Sequence, residues 1–139
     1  MKPQQNIVAA VLLSGDQILT GQRQANRVGG GKYEFPGGKI EAGESARQAL
    51  KREIYEELGD EVVLGPQLLV PADYEYSYAQ IHIEFFYGRL QSQNLKHVAH
   101  TEFRWGTPQE LAGLDWLPAS RPVLDLLMQQ DLRKIEFDE

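Results

Sequence analysis

Apolar residues first gather between Asn6 and Leu13, where seven in a row run from Ile7 to Leu13. A short β-branched and leucine-rich run of this kind predicts a buried strand. Ser14-Gly15-Asp16 supplies turn residues, and Gln17 to Gln22 reads as the strand that pairs back. Arg23 to Lys32 is a polar loop with three successive glycines, Gly29 to Gly31. Tyr33-Glu34-Phe35 is a brief strand that Pro36-Gly37-Gly38 ends, and a loop is expected from there to Glu44. The period then changes. Leu50, Ile54 and Leu58 recur at helical spacing, with Ala46 and Ala49 at the margin of the stripe. Ser45 can cap this helix, with Gln48 completing a capping box, and Gly59 can end it in a left-handed conformation. The predicted helix covers residues 46 to 58.

Strand patterns return at Val62 to Val70 and Ile81 to Leu90, with Tyr74 to Tyr78 as a further strand or a lead-in. Phe103 to Trp105 reads as a short strand. Thr107-Pro108-Gln109-Glu110 resembles a capping box before a helix of one or two turns. Ser120 is the expected N-cap of a last helix from Arg121 to about Gln130, with Pro122 in its first turn. Strands and helices mix along the whole chain, which predicts an α/β or α+β fold. At 139 residues, with no internal repeat and no low-complexity linker, residues 1–139 read as a single domain.

Composition narrows the chemistry. No cysteine is present, which excludes disulfides, zinc-thiolate sites and cysteine nucleophiles, and fits a reducing cytosol. The Ile7 to Leu13 run is short for a signal sequence and far too short to span a membrane. The expectation is a cytoplasmic protein with no membrane partner. A net charge of −6 gives no long-range attraction for nucleic acid, so none is expected as a partner. A polyanionic substrate would need local cations or metal.

The predicted helix shows where such a metal could bind. At ~100° per residue, Glu53, Glu56 and Glu57 fall within an arc of roughly 100° beside the apolar stripe. Like charges at this spacing repel by a few tenths of a kcal/mol per pair, and acids near a helix C-terminus oppose its dipole. A solvated acidic face with Arg47, Lys51 and Arg52 as partners is one reading. The other is a site for a hard divalent cation, which takes oxygen ligands from carboxylates, carbonyls and phosphates.

These residues also carry a family resemblance. Gly38, five residues, Glu44, seven residues, then Arg52-Glu53-Ile54-x-Glu56-Glu57-x-Gly59 resembles the Nudix box, eight fixed positions over about 22 residues, all but Ile54 polar or glycine. One position departs: the family usually has an aliphatic residue after the last glycine, and this chain has Asp60. The resemblance implies a mixed sheet sandwiched between helices. It implies Mg²⁺- or Mn²⁺-dependent hydrolysis of a nucleoside diphosphate linked to another group. By position, Glu53, Glu56 and Glu57 match the metal ligands, the Gly37 or Gly38 carbonyl adds another, and Arg52 orients the carboxylates. Glu44 supports the turn into the helix, and Gly38, Gly43 and Gly59 match backbone requirements.

Phe35-Pro36-Gly37-Gly38-Lys39 and Pro118 to Val123 resemble segments of the MutT group of nucleoside triphosphate pyrophosphohydrolases. That likeness implies a small-molecule nucleotide as substrate, cut to monophosphate and pyrophosphate. Dinucleoside polyphosphates, nucleotide sugars, capped RNA and non-catalytic nucleotide sensing are the alternatives. Arg23 is a candidate phosphate contact or a solvated arginine at the strand end, and Lys39 is a candidate substrate contact. Phe35 either stacks on the base or belongs to the core. Ser120 stands where members hydrolysing 8-oxoguanine nucleotides have Asn, or serves only as a helix cap. The general base is Glu102, Glu56 or His100; in the loop from Lys96, Ala99 occupies the position where many relatives carry Glu. The chain is expected as a monomer or homodimer.

Overall fold

A computed structural model describes residues 2–92 and 100–137, with the backbone alone at 100 and 101. The first hairpin joins β1 (Gln4–Ser14) to β2 (Gln17–Arg23) through Gly15, whose φ of 63° suits glycine. Next come β3 (Tyr33–Glu34), β4 (Gly37–Lys39) and helix α1 (Ala46–Leu58). Strands β5 (Val62–Gln67), β6 (Asp73–Glu75), β7 (Gln80–Leu90) and β8 (His100–Gly106) follow. Helix α2 (Pro108–Leu111), a 3₁₀ turn (Pro118–Ser120), helix α3 (Arg121–Leu127) and a last 3₁₀ turn (Leu132–Lys134) complete the order.

The sheet runs β3-β2-β1-β7-β5, with β4 beside β1, β6 beside β7 and β8 beside β2. It is mixed: β1 and β7 are parallel and the other pairings antiparallel. The apolar run of β1 is continuous because both faces of the strand are covered. Val8, Ala10 and Leu12 pack with Ala49, Leu50, Ile54 and Leu58 of α1. Ala9, Val11 and Leu13 pack on the opposite face with Trp116 and with Val123, Leu124 and Leu127 of α3. The result is a sheet between helices, as expected. No helix among the described residues is long and apolar enough to cross a membrane.

Several boundaries differ from the sequence reading. The stretch after Pro36 begins with a strand: β4 pairs Gly37 with Ala9 and Gly38 with Val8. Glycine permits that approach, since a Cβ on Gly37 would lie 2.0 Å from the Val8 carbonyl oxygen. Strand β5 stops at Gln67 rather than Val70, after a register shift between Leu64 and Gln67 that contains Gly65-Pro66. Strand β8 begins three residues earlier than predicted, at His100. Ser120 stands at the N-cap position of α3 but does not cap it. Its backbone is helical, its side chain makes no capping bond, and Pro118 has already started the turn that runs into α3. That helix ends at Leu127, short of Gln130. Asp60 leaves the exit of α1 intact. Its buried carboxylate accepts from the amides of Glu61 at 2.8 Å and Ser92 at 3.0 Å.

Candidate active site

Helix α1 is fixed at both ends before its side chains do any chemistry. The Gln48 amide donates to Ser45 Oγ at 3.1 Å, and the Ser45 amide donates to Gln48 Oε1 at 2.9 Å. Gly59, at φ 70°, closes the last turn by donating to the Tyr55 carbonyl. With Leu50, Ile54 and Leu58 turned into the core, Glu53 and Glu57 stand one turn apart over β4. The Gly37 amide donates to Glu57 Oε2 at 3.3 Å. A Cβ on Gly38 would lie 2.3 Å from the Glu53 carboxyl carbon. The two glycines of β4 therefore make room for carboxylates as well as for β1.

Arg52 organises the other acids. Its Nε and a terminal nitrogen donate to both Glu44 oxygens at 2.7 and 2.9 Å, and Glu44 also accepts from the Glu41 amide. Arg52 reaches Glu53 Oε1 at 2.9 Å, Glu56 Oε2 at 3.2 Å and the Lys39 carbonyl at 3.0 Å. Hydrogen bonds from Arg52, and then from the Glu41 amide, hold the Glu44 carboxyl down at about 2. Glu57 moves the other way, pushed up to about 8 by burial and then by the charges of Glu34 and Glu53. Burial likewise raises Glu53 against the pull of Arg52.

Two desolvated carboxylates beside a glycine cradle suit a hard divalent ion. Among the described residues, no three acidic, histidine or cysteine side chains converge on one metal position. Mg²⁺ does not require three, because it is commonly held by one or two carboxylates with waters and substrate phosphates filling the remainder. Glu56, also expected as a ligand, is 56% exposed and stands outside the cleft lining, joined to Glu53 through Arg52.

Glu53 and Glu57 open into a cleft of about 650 Å³. Arg23, Lys39, Phe35 and Ser120, all expected near substrate, line it too. Arg23 is not simply solvated. Its Nε donates to the Val28 carbonyl at 2.8 Å, and one terminal nitrogen donates to both oxygens of Glu34 at 2.9 and 3.1 Å. Phe35 belongs to the core and also lines the cleft. It is 3% exposed, packed on Trp116 at 5.0 Å and edge-on to Phe85 at 6.0 Å. Ser120 is buried where it lines the cleft.

Glu102 is not brought to the carboxylates. It accepts hydrogen bonds from the Tyr33 hydroxyl and from Arg104 Nε, the latter at 2.8 Å, and does not line the cleft. The Tyr33 hydroxyl, then Arg104, hold its carboxyl below the usual range, which makes a poor base. The β2–β8 register explains the displacement, because Glu102 sits opposite Gln22 on a strand outside the α1–β4 corner. The His100 side chain and Ala99, with the loop from Lys96, lie outside the described residues. Sequence reasoning missed Glu34 and Arg27, which both line the cleft. Glu34 meets Arg23 only through β2–β3 pairing across a polar loop, and no local spacing announces it.

The match to the NUDIX domain family model runs from residue 3 to residue 135. A CTP pyrophosphohydrolase of Escherichia coli is 36% identical over 127 residues, which is 88% of this chain and 90% of that protein. An 8-oxo-dGTP diphosphatase of the same organism is 32% identical over 131 residues, 89% of this chain and 95% of that protein. Among solved structures, the Escherichia coli ORF135 protein superimposes with a TM-score of 0.80 at 33% identity, covering 92% of this chain and 91% of that one. A MutT protein from Methanosarcina mazei gives 0.78 at 26% identity, covering 92% and 93%.

Proposed function

The chain belongs to the NUDIX domain family, and on that premise we propose that it hydrolyses a nucleoside triphosphate to the monophosphate and pyrophosphate, using Mg²⁺ or Mn²⁺. It is an enzyme acting on phosphoanhydride bonds. The observation that carries the substrate reading is one cleft with two kinds of lining. Glu53, Glu57 and the β4 glycines form a place for metal and phosphates, while Phe85, Ile83 and Ser120 offer apolar surface and a hydroxyl to a nucleoside.

In this reading Glu53 and Glu57 hold the ion, with backbone oxygen from Gly37 or Gly38. A bound divalent ion supplies neutralisation of the polyphosphate and acidifies a water molecule. Arg23, pre-oriented by Glu34 and Val28, and Lys39 hold phosphate oxygens so that nucleophile and leaving group lie in line. Water adds to one phosphorus of the bridging anhydride, the bond from that phosphorus to the bridging oxygen breaks, and the water proton passes to Glu53. Arg52 fixes Glu53 through Oε1. Glu44 locks Arg52 in turn.

Ser120 favours CTP or dCTP over 8-oxo-dGTP. A single rotating hydroxyl cannot present the paired donor and acceptor of an amide. The similarity to a CTP pyrophosphohydrolase supports the same choice. A cytoplasmic setting, a monomeric or homodimeric state and no nucleic-acid partner complete the proposal.

The test is a panel of ordinary and oxidised NTPs and dNTPs with Mg²⁺, scored for pyrophosphate against phosphate release. Pyrophosphate release with a preference for cytosine nucleotides is expected. Phosphate release alone, or no turnover of any triphosphate, would refute the reading. Glu53→Gln is expected to lower kcat by about 10²–10⁴-fold while the circular dichroism spectrum is kept. Full activity in that variant removes Glu53 from the chemistry.

A further inference from the structure

Two segments far apart in sequence meet at the wall of the cleft. One is the tip of the β6–β7 hairpin. Glu75 pairs with Gln80, the Tyr76 amide donates to the Ala79 carbonyl at 2.8 Å, and the Ala79 amide returns a bond to the Tyr76 carbonyl at 3.4 Å. Ser77 and Tyr78 are thus a two-residue tip whose backbone is fixed at its base. The other segment is the 3₁₀ turn Pro118–Ser120. Tyr76, Tyr78, Ala119 and Ser120 all line the cleft.

A single side chain ties these segments together. The Tyr76 hydroxyl accepts the Ala119 amide proton at 3.1 Å, one residue before Ser120. That amide is near the start of the 3₁₀ turn, where backbone donors lack a partner within the turn itself. The Tyr76 ring lies nearly parallel to that of Tyr78, at 5.6 Å and 18°. Tyr78 remains 46% exposed, so its ring is held in place without being buried. A phenylalanine at 76 would keep the stack and lose the bond to Ala119.

We propose that Tyr76 is the positioning residue for the nucleobase: its ring sets the aromatic wall at Tyr78, its hydroxyl sets the turn that presents Ser120, and discrimination among nucleotides depends on that hydroxyl. The inference rests on the nucleoside triphosphate reading above. Stacking on an aromatic ring accepts any base, because every base has a π-face. A hydroxyl distinguishes bases only if its position is fixed relative to the stacked ring, since one rotating O–H adapts to donor or acceptor alike. The Tyr76–Ala119 bond supplies that fixed relation between two elements that share no strand pairing.

The experiment compares wild type with Tyr76→Phe on three substrates: the preferred triphosphate, a triphosphate with a different base, and ribose 5-triphosphate, which has no base. Loss of one hydrogen bond predicts a KM for the preferred nucleotide about three- to tenfold higher. The gap between the two nucleotides narrows by a similar factor, kcat stays within about twofold, and KM for ribose 5-triphosphate is unchanged. Amide exchange at Ala119, followed by NMR, becomes faster. An equal rise in KM on ribose 5-triphosphate would mean a general structural role and would overturn the proposal. So would faster exchange at Ala119 with unchanged discrimination, or a fall in kcat with KM unchanged. If wild type turns over no nucleoside triphosphate, the functional reading fails and this inference falls with it. If wild type is active and Tyr76→Phe matches it on all three substrates, the inference fails alone.

Discussion

Glu57 is a carboxyl in a place that suits neither of its own charge states. Burial, with Glu34 and Glu53 close enough to repel it, lifts its pKa from 4.5 to about 8, and the Gly37 amide and Arg27 only partly offset that. The metal-free fold therefore binds a proton that the unfolded chain has released by neutral pH. The sign follows from linkage: the stability associated with Glu57 is intact below about 4.5 and is lost as pH rises through about 8. Without metal, the denaturation midpoint is expected to fall between about pH 4.5 and pH 8, by on the order of a few kcal/mol in free energy, and to level off above that. Saturating Mg²⁺ is expected to flatten that slope, because the ion takes the deprotonated carboxylate. Denaturant titrations in chelator and in Mg²⁺ at each pH check this, with Glu57→Gln as the control. A variant with the same slope as wild type would assign the pH dependence elsewhere. Glu44 is a contrasting case in the same motif. Two bonds from Arg52 leave it ionised at any working pH, so it serves as a fixed brace.

At the scale of elements, the parts that were legible in the sequence are those that local physics decides. The bounds of α1, its capping box and its left-handed glycine were readable because a cap, a stripe and a stop lie within fifteen residues of one another. The Thr107–Glu110 box was readable for the same reason. What could not be read depends on partners distant in the chain. Strand β4 exists because β1 offers it an edge, and Glu102 is drawn to Tyr33 and Arg104 by strand register. Tyr76 gains its role from an amide at position 119. Pro118 starts the turn one residue after Leu117, which makes a cap at Ser120 redundant. The cap at Ser45 is different, since the Gln48 amide depends on it. Ser45→Ala is expected to cost about 1 kcal/mol of stability, with kcat unchanged at saturating metal. Thermal or denaturant melting measures the first and steady-state assay the second. An unchanged midpoint would mean that sheet packing alone fixes the start of α1.

For the whole molecule, the consequential fact is that one sheet carries two cores and that the cleft draws on both. The α1 face supplies Glu53 and Glu57, whereas the α3 face stands behind the turn that presents Ser120. Small defects in the two cores should therefore appear in different kinetic parameters. Ile54 and Val123 are both fully buried, one on each face. Ile54→Val removes one methylene beneath the metal-binding face and is expected to cost about 0.5–1.5 kcal/mol. It is also expected to raise the Mg²⁺ concentration needed for half-maximal rate, with nucleotide KM at saturating metal little changed. Val123→Ala, beside the Ser120 turn, is expected to raise nucleotide KM and leave the Mg²⁺ requirement unaltered. Because the sheet separates the sites, their stability costs should add to within about 0.5 kcal/mol in the double variant. Denaturant midpoints for the four proteins, with metal and nucleotide titrations on each, decide the matter. If either variant moved both kinetic parameters equally, the two faces would be acting as one rigid unit, and the division of the cleft into a phosphate end and a nucleoside end would lose its structural basis.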